Sequence, residues 1–292
     1  NIGHAFADNR ATPYTVNVTV DDDGFQSDSD DFTVAVADVA PTLNLGGNFS
    51  TPEGSGYTLT LGNVNDPGAD VVSQYTVHWG DGSDQTILAA DLPVSRELQH
   101  VYADGNIGGT DRTITVDVVN EDGTFLLAGS KNISVANVAP VVPVIGADTV
   151  DEGAVYLLTV GALVDPGVDT PTLYRINWGD GSAVSEFTPV EFAALLVAGG
   201  TVDHVFADGN NGGTSRTITL QVLDEDGTHM AATKAIVVNN VAPTLLLTGN
   251  AATDEGASYV LSIAATDPAG GADPLSYSID WSDGSAVQVL SA

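Results

Sequence analysis

The chain has 292 residues and a formal net charge of −32, from 7 basic and 39 acidic residues. This charge excludes electrostatic binding to nucleic-acid backbones and to anionic lipid, because both need basic patches. The absence of cysteine excludes a disulfide scaffold, thiol catalysis and cysteine-ligated zinc or iron–sulfur sites. With 43% hydrophobic residues and 32 glycines, the composition is typical of short strands joined by many turns around buried cores. No run of 18 apolar residues occurs, so the sequence predicts no membrane insertion.

A unit of about 100 residues recurs along the chain. Three sets of residues share spacings of 99 and 103 positions: Trp79, Trp178 and Trp281; Pro41, Pro140 and Pro243; Glu53, Glu152 and Glu255. The repeat predicts four segments, which are the C-terminal part of one repeat (1–39), two complete repeats (40–138 and 139–241) and the N-terminal part of another (242–292). We expect this sequence to be a window from a longer tandem array.

The elements of one repeat can be followed in order through residues 139–241. Strands are predicted at 155–160, 173–178, 217–222 and 235–238, separated by turn signals such as those at 165–169 and 224–227. The stretch from Pro189 to Ala198 is the best candidate for a short helix, and it lies where the repeats differ in length. About seven short strands per repeat predict an all-β fold of tandem immunoglobulin-like antiparallel β-sandwiches.

The recurring aromatic residues have two interpretations. Trp79 and Trp178 are expected to pack between the sheets, and His100 and His204 are expected to close the edge of each core. The alternative is that a recurring Trp before Gly-Asp-Gly is a surface platform for stacking sugars. Burial of the two Trp side chains would decide between them.

The motifs resemble those of PKD domains. The W-G-D-G-S turns at 79–83 and 178–182, the H-x-[YF] motifs at 100–102 and 204–206, the T-x-V-x-V-type strand and the D-x-D-G-type turn occur in that order. Residues 281–285 depart from the first motif, with Ser282 in place of Gly. The resemblance covers the whole chain and implies a seven-stranded immunoglobulin-like sandwich. The V-A-P linkers make the chain look like tandem arrays in long bacterial secreted and surface proteins.

Acidic residues recur in loops at both ends of each predicted sandwich. In a head-to-tail array these ends meet, and each junction gathers carboxylates and a linker amide, which are the oxygen ligands that Ca²⁺ takes. We therefore predict a Ca²⁺ site at the middle junction, with six candidate ligands: Glu53, Asp104, Asn137, Asp165, Asp169 and Asp226.

A simpler interpretation of the same acids is that they cap their own turns. Asp in D-P-G and G-D-G sequences commonly accepts hydrogen bonds from backbone N–H groups, and this is the favoured interpretation of Asp81, Asp180 and Asp283. No EF-hand spacing is present to favour calcium more specifically. High salt could also screen the charge without specific sites.

The sequence favours a structural function over catalysis. No H-E-x-x-H, G-x-S-x-G or phosphate-loop motif occurs, and acids that recur in every repeat are unlike an active site, which is built once. The leading hypothesis is an extracellular or cell-surface bacterial array that forms a stalk, adhesin shaft or self-associating filament. Its partners would be neighbouring repeats and other copies of itself, with a polysaccharide or a cell-surface ligand as a further candidate. The alternatives are accessory polysaccharide- or protein-binding repeats of a secreted hydrolase, and a cell-envelope lattice protein.

Overall fold

The computed structural model describes residues 1–291, which form β-strands, short turns and one α-helix. The chain divides into two compact units. Unit 1 comprises Asn1–Val138 with Pro166–Val168, and unit 2 comprises Ala139–Asp165 with Asp169–Ala292. Among residues 1–291, no helix is long and apolar enough to cross a membrane.

Unit 1 begins with a β-hairpin made of β1 (Tyr14–Asp21) and β2 (Ser27–Val34). The two strands pair antiparallel. The side chain of Asp22 caps the turn, since its Oδ1 accepts hydrogen bonds from the backbone N–H groups of Gly24 and Gln26 at 2.8 and 2.9 Å. Val16, Val18 and Val20 alternate along β1 and lie on one face, which they share with their partners in β2, Phe32, Asp30 and Asp28.

Residues 40–138 form a β-sandwich. Its strands are β3 (Thr42–Gly46), β4 (Ser50–Pro52), β5 (Gly56–Asn65), β6 (Gln74–His78), β7 (Asp84–Leu88), β8 (Glu97–Val101), β9 (Thr110–Val119) and β10 (Thr124–Ala136). One sheet has the order β3-β5-β8 and the other β4-β10-β9-β6-β7, with β4 parallel to β10 and the other pairs antiparallel. The expected seven strands appear as eight segments, because the first strand is split between the two sheets near Gly47, whose φ is +121°.

Unit 2 repeats this sandwich in residues 139–241. Its strands are β11 (Val144–Ile145), β12 (Thr149–Asp151), β13 (Val155–Val160), β14 (Leu173–Asn177), β15 (Ser185–Phe187), β16 (Thr201–Val205), β17 (Thr214–Leu223) and β18 (Thr228–Asn239). The sheet orders are β11-β13-β16 and β12-β18-β17-β14-β15. The predicted helix is confirmed as α1 (Pro189–Val197), which begins with a capping box between Thr188 and Glu191.

Each sandwich has its own core, built from the alternating apolar residues of its strands. Trp79 is 1% exposed in the first core, and Trp178 is 1% exposed in the second. The prediction that these Trp side chains pack between the sheets is therefore confirmed. The all-β fold of tandem immunoglobulin-like antiparallel sandwiches is confirmed with it.

The remaining part of unit 2, residues 242–291, forms two small antiparallel sheets. They are the pair β19 (Thr244–Gly249) and β20 (Leu261–Thr266), and the pair β21 (Ser276–Ile279) and β22 (Gln288–Ser291). Many of their apolar side chains are exposed, in contrast to their counterparts in residues 139–241.

Candidate metal sites

Unit 1 contains a cluster of three aspartates contributed by loops that are distant in sequence. Asp8 precedes β1, Asp70 lies between β5 and β6, and Asp122 lies in the turn between β9 and β10. One carboxylate oxygen from each lies within 4.8 Å of the others. We call this group the unit 1 cluster. It joins residues 1–39 to residues 40–138, as expected if the acidic ends of successive repeats meet.

The loop that carries Asp70 is held by two other acids. Asp66 Oδ1 accepts a hydrogen bond from the N–H of Gly68 at 3.2 Å, and Glu121 Oε2 accepts one from the N–H of Val71 at 2.8 Å. The atoms Asp66 Oδ2 and Asp70 Oδ1 are buried and have no hydrogen-bond partner among residues 1–291. Buried carboxylate oxygens without a donor are costly, so the loop leaves two oxygens that a cation could satisfy.

Electrostatics at the unit 1 cluster disfavour the ionised form of Asp70. The pKa of Asp70 is raised from its ordinary value to about 6. The largest cause is loss of solvation, and the nearby carboxylates of Asp66 and Asp8 add to it. The carboxylates therefore repel one another where they meet. A bound cation would remove that repulsion.

Unit 2 contains a second cluster of three carboxylates, built from other repeat positions. Glu152 follows β12, and Asp267 and Asp273 lie between β20 and β21. Their ligand oxygens also lie within 4.8 Å of one another. Loss of solvation, with repulsion from Glu152, Asp208 and Asp267, raises the pKa of Asp273. We call this group the unit 2 cluster.

Two buried glutamates hold the chain at the ends of the sandwiches. Glu53 is 0% exposed; its Oε2 accepts a hydrogen bond from Gly105 N–H at 2.7 Å, and its Oε1 accepts one from Val138 N–H at 2.6 Å. Glu152 is 1% exposed and accepts equivalent bonds from Gly209 and Val241, both at 2.7 Å. The sequence indicated Glu53 as a ligand but gave no sign that it fastens the following linker.

A carboxylate that accepts these bonds can still bind a cation, because each oxygen has a second lone pair. The same glutamate can therefore hold its linker and contribute to a metal site. The donor set of both clusters is made only of carboxylate oxygens, which suits hard cations such as Ca²⁺ and Mg²⁺ rather than zinc or copper.

The six ligands predicted from the sequence are divided between the two units. Glu53, Asp104 and Asn137 belong to unit 1, whereas Asp165, Asp169 and Asp226 belong to unit 2. Their assembly into one site stays a prediction. By position in the repeat, the unit 1 cluster corresponds to Asp104, Asp169 and Asp226, and the unit 2 cluster corresponds to Glu53, Asp165 and Asp169. Together the two clusters contain counterparts of every predicted carboxylate ligand.

The G-D-G aspartates cap their turns, as predicted. Asp180 Oδ1 accepts hydrogen bonds from the N–H and Oγ of Ser182 at 3.0 and 2.6 Å, and Asp81 does the same with Ser83. Asp283 accepts a bond from Ser285 N–H at 2.9 Å.

Each of the first two aspartates also pairs with the recurring histidine. His204 Nε2 lies 2.7 Å from Asp180 Oδ2, and the His204 ring stacks on Trp178 with centroids 4.4 Å apart. His100 and Asp81 form the same pair at 2.7 Å. The sequence placed His100 and His204 at the edge of the core but did not predict these contacts with the aspartates. The signal that could have found them was the recurrence of both residue types at fixed repeat positions.

The burial of Trp79 and Trp178 excludes both as platforms for stacking sugars, because a stacking surface must be exposed. The polysaccharide-binding alternative loses its aromatic evidence at these two positions.

No protein-family model matches the sequence, and no curated protein matches it. Among solved structures, the chain is similar to the tetra-tandem repeat in the extending region of a large adhesion protein, at 13% identity and a TM-score of 0.36, covering 89% of this chain and 71% of that one. It is similar to the chicken CNTN1 FN1–FN3 domains at 14% identity and a TM-score of 0.24, covering 76% of each chain. A red sea bream transglutaminase matches at 9% identity and a TM-score of 0.26, covering 69% of this chain and 31% of that enzyme.

Proposed function

We propose that this chain is a structural, non-enzymatic part of a bacterial extracellular or cell-surface protein. Its PKD-like repeats would form a stalk, adhesin shaft or self-associating filament, stiffened by Ca²⁺ at the repeat junctions. The observation that carries the proposal is the pair of acidic clusters, each joining residues of one repeat to a loop of the next.

Calcium fits these clusters by charge and by donor type. Ca²⁺ takes six to eight oxygen ligands in flexible geometry, and carboxylates, backbone carbonyls and water can supply them. Magnesium demands a stricter octahedral shell and keeps more of its water. The buried Oδ1 of Asp70 in the unit 1 cluster and the buried Oδ2 of the nearby Asp66 have no hydrogen-bond donor among residues 1–291, which supports a cation there. The net charge of −32 adds a general attraction for divalent ions.

A bound ion would stiffen the chain because its ligands come from two successive repeats. Asp8 belongs to residues 1–39, and Asp70 and Asp122 belong to residues 40–138, so a bound ion would restrain both sides of the linker between them. The buried glutamates add a second restraint, because Glu53 and Glu152 each hold the first residues of the linker that follows. Ca²⁺ and the glutamates together would turn a string of sandwiches into a stiff rod.

The test is thermal unfolding of the 292-residue chain with Ca²⁺, with Mg²⁺ and with chelator at constant ionic strength. Binding to the native state alone stabilises it by about 2.7 kcal/mol when free Ca²⁺ is a hundred times Kd. We expect a Ca²⁺-specific rise in the unfolding temperature. Equal curves in Ca²⁺ and chelator would overturn the metal part of the proposal.

Two substitutions test which cluster is responsible for the Ca²⁺-induced rise in the unfolding temperature. Asp70→Asn and Asp273→Asn each remove one carboxylate from a cluster while preserving side-chain shape. We expect each to reduce the Ca²⁺-induced shift, and the double variant to abolish most of it. Asp203→Asn is the matched control, because Asp203 is exposed in β16 and belongs to neither cluster. A control that loses the shift equally would show that calcium acts through net charge alone.

A further inference from the structure

The outer surface of the β11-β13-β16 sheet, in residues 139–241, is mainly apolar. Successive residues of a strand point to opposite sides of the sheet, and the inner side of β13 is buried at Tyr156, Leu158 and Val160. The strand register places these residues together on the outer side: Ile145, Val155, Leu157, Thr159, Thr201, Asp203 and Val205. We call this surface the lateral face.

The apolar side chains of the lateral face are contiguous and exposed. Ile145 is 72% exposed, Val155 59%, Leu157 55% and Val205 45%. Val155 pairs with Val205, and Leu157 follows on the same side of β13. The one charged residue of the face is Asp203, which pairs with Leu157. A contiguous apolar patch on the surface of a folded sandwich marks a site of association.

The fold does not require an apolar surface at this position. The corresponding sheet in residues 40–138 has the same register, with Thr58 opposite Gln99 and Thr60 opposite Glu97. The amide of Gln99 donates a hydrogen bond to the hydroxyl of Thr58 at 2.8 Å, so this surface is polar. Three of its residues occupy the places of exposed aliphatic residues in the lateral face: Gly46, Gly56 and Thr58 for Ile145, Val155 and Leu157. The apolar character therefore belongs to one repeat and not to the fold.

A second copy of the same face is the occupant that fits the lateral face by shape and charge. Sheets pack on one another about 10 Å apart, with the side chains of the two faces interdigitated. A basic partner would find its complement on the acidic loops. A second copy, which carries the same net charge of −32, can approach closely only where charges are few.

Two-fold symmetry keeps the single charge of the face out of the centre of such a contact. Leu157 lies in the middle of the face, so an axis that runs along β13 between the two copies brings the two Leu157 side chains together. The same axis places the two Asp203 residues on opposite sides, displaced sideways by about 10 Å, which is twice the spacing between strands. Each Asp203 stays next to solvent, because β16 is the edge strand of its sheet.

The area of the lateral face predicts a weak contact. Three strands about 4.8 Å apart and five residues of about 3.4 Å each cover roughly 240 Å² per copy. A stable interface buries about 800 Å² per partner. The contact therefore becomes effective where chains are already held near one another, because their effective concentration is then high.

We propose that the lateral face of one chain binds the lateral face of a second copy, in a two-fold contact that joins the chains side by side. Because both copies use the same patch, this contact closes at two chains. The inference rests on the proposed function, since it gives the self-association in that function a specific surface.

Disulfide trapping tests so weak a contact directly, because the chain has no cysteine. Leu157→Cys places one thiol at the centre of the lateral face, and Val101→Cys places one on the corresponding polar surface of residues 40–138. The two positions are matched, since Leu157 is 55% exposed and Val101 is 53% exposed. Each 292-residue variant is oxidised with diamide in chelator, and the dimer is followed by non-reducing electrophoresis.

We expect Leu157→Cys to form the disulfide dimer at least tenfold faster than Val101→Cys. Each rate is first divided by the rate at which the same thiol reacts with a small maleimide. A disulfide needs Cβ atoms about 3.8 Å apart, so it reports close contact between the two thiols. The two variants have the same net charge, so general repulsion between copies cancels in the ratio.

Threonine substitutions test whether the apolar side chains cause the faster reaction. Ile145→Thr and Val155→Thr, made together in the Leu157→Cys chain, keep residues that favour strands, and circular dichroism checks folding. We expect the dimer rate to fall to that of Val101→Cys. Val94→Thr in the same background is the control, because Val94 is fully exposed outside the lateral face, and it should leave the rate unchanged.

Three outcomes would overturn this inference: equal normalised rates at positions 157 and 101, a fast rate that survives the paired threonine substitutions, or an equal loss of rate in the Val94 control. A Ca²⁺-specific thermal shift without preferential dimer formation would refute the lateral contact but leave the calcium-stiffened array. Preferential dimer formation without a Ca²⁺ shift would support the lateral contact and refute the metal part of the function.

Discussion

The buried carboxylate of Glu152 accepts a hydrogen bond from the backbone N–H of Val241, 89 residues further along the chain, at 2.7 Å. Glu53 makes the same bond with Val138 at 2.6 Å. Glu53 and Glu152 therefore each fix the linker that leaves their own repeat. This gives the recurring glutamate a structural role that is independent of any metal.

Glu152→Gln should destabilise unit 2. The amide keeps one acceptor oxygen, but its NH₂ group would face a backbone N–H that needs an acceptor. Leaving a buried donor unsatisfied costs about 1–3 kcal/mol. Urea unfolding of the variant in chelator would measure this loss without any contribution from calcium. Asp203→Asn serves as the exposed control, and an equal effect of both substitutions would refute the role of Glu152.

A second prediction concerns Gly153, which packs against the loop between β20 and β21. Its φ is +71°, and a Cβ at this position would lie 2.8 Å from the carbonyl oxygen of Pro268. Gly181 has a φ of +84° with nothing within 4 Å of a Cβ, so it is a matched control.

Both Gly→Ala variants should lose about 1–2 kcal/mol from the left-handed backbone. Only Gly153→Ala should also displace Pro268, next to Asp267 of the unit 2 cluster, and so reduce the Ca²⁺-induced thermal shift. Unfolding curves in Ca²⁺ and in chelator separate the two effects. Equal Ca²⁺ responses in both variants would show that this contact does not support the cluster.

Much of the fold could be predicted because its signals are local. The alternation of apolar residues predicted strands such as that at 217–222, and the short helix expected between Pro189 and Ala198 is present as α1. The division of the first strand near Gly47 was not predictable, because it depends on pairing with two different sheets.

The candidate site was predictable only in outline. Sequence indicated that acidic loops at the ends of successive repeats would meet, and the two clusters have this composition. The sequence could not show which carboxylate oxygen accepts which hydrogen bond. Asp66 uses one oxygen for its own turn and leaves the other buried, and Glu53 bonds N–H groups 52 and 85 residues away. Such assignments depend on tertiary distances that spacing alone does not encode.

A third prediction concerns His78, which bridges two aspartates on the sheet surface. Its Nε2 lies 3.0 Å from Asp117 and its Nδ1 lies 2.7 Å from Asp84. Hydrogen bonds to Asp117 and Asp84 raise the pKa of His78 above its ordinary value. The stabilisation is therefore fully present below about pH 6.5 and is lost as pH rises through the raised pKa of the folded protein.

His78→Asn introduces the residue found at the same position of the next repeat, Asn177. We expect it to lower stability by about 0.5–1 kcal/mol at pH 6 and to change little at pH 9, since the pair is partly exposed. Urea unfolding at both pH values measures this difference. His4→Asn is the control for the substitution itself, and a His78 variant with no pH-dependent loss would contradict the ion-pair role.

The last prediction concerns acid unfolding through Asp180. Burial opposes its ionisation, but hydrogen bonds from Ser182 and His204 outweigh that cost and lower the pKa of Asp180 to about 2. Because the folded pKa lies below the ordinary value of 3.8, this group stabilises the protein above pH 4. That contribution is lost as pH falls from 4 through 2.

Asp180→Asn should therefore lower stability at pH 5 and flatten the dependence of the free energy of unfolding on pH between pH 4 and pH 2. Urea unfolding at closely spaced pH values, with fluorescence from Trp178 stacked on His204, follows this region of the core. Asp203→Asn should keep the wild-type slope, and a variant at Asp180 with an unchanged slope would show that the hydrogen bonds from Ser182 and His204 do not stabilise the ionised carboxylate.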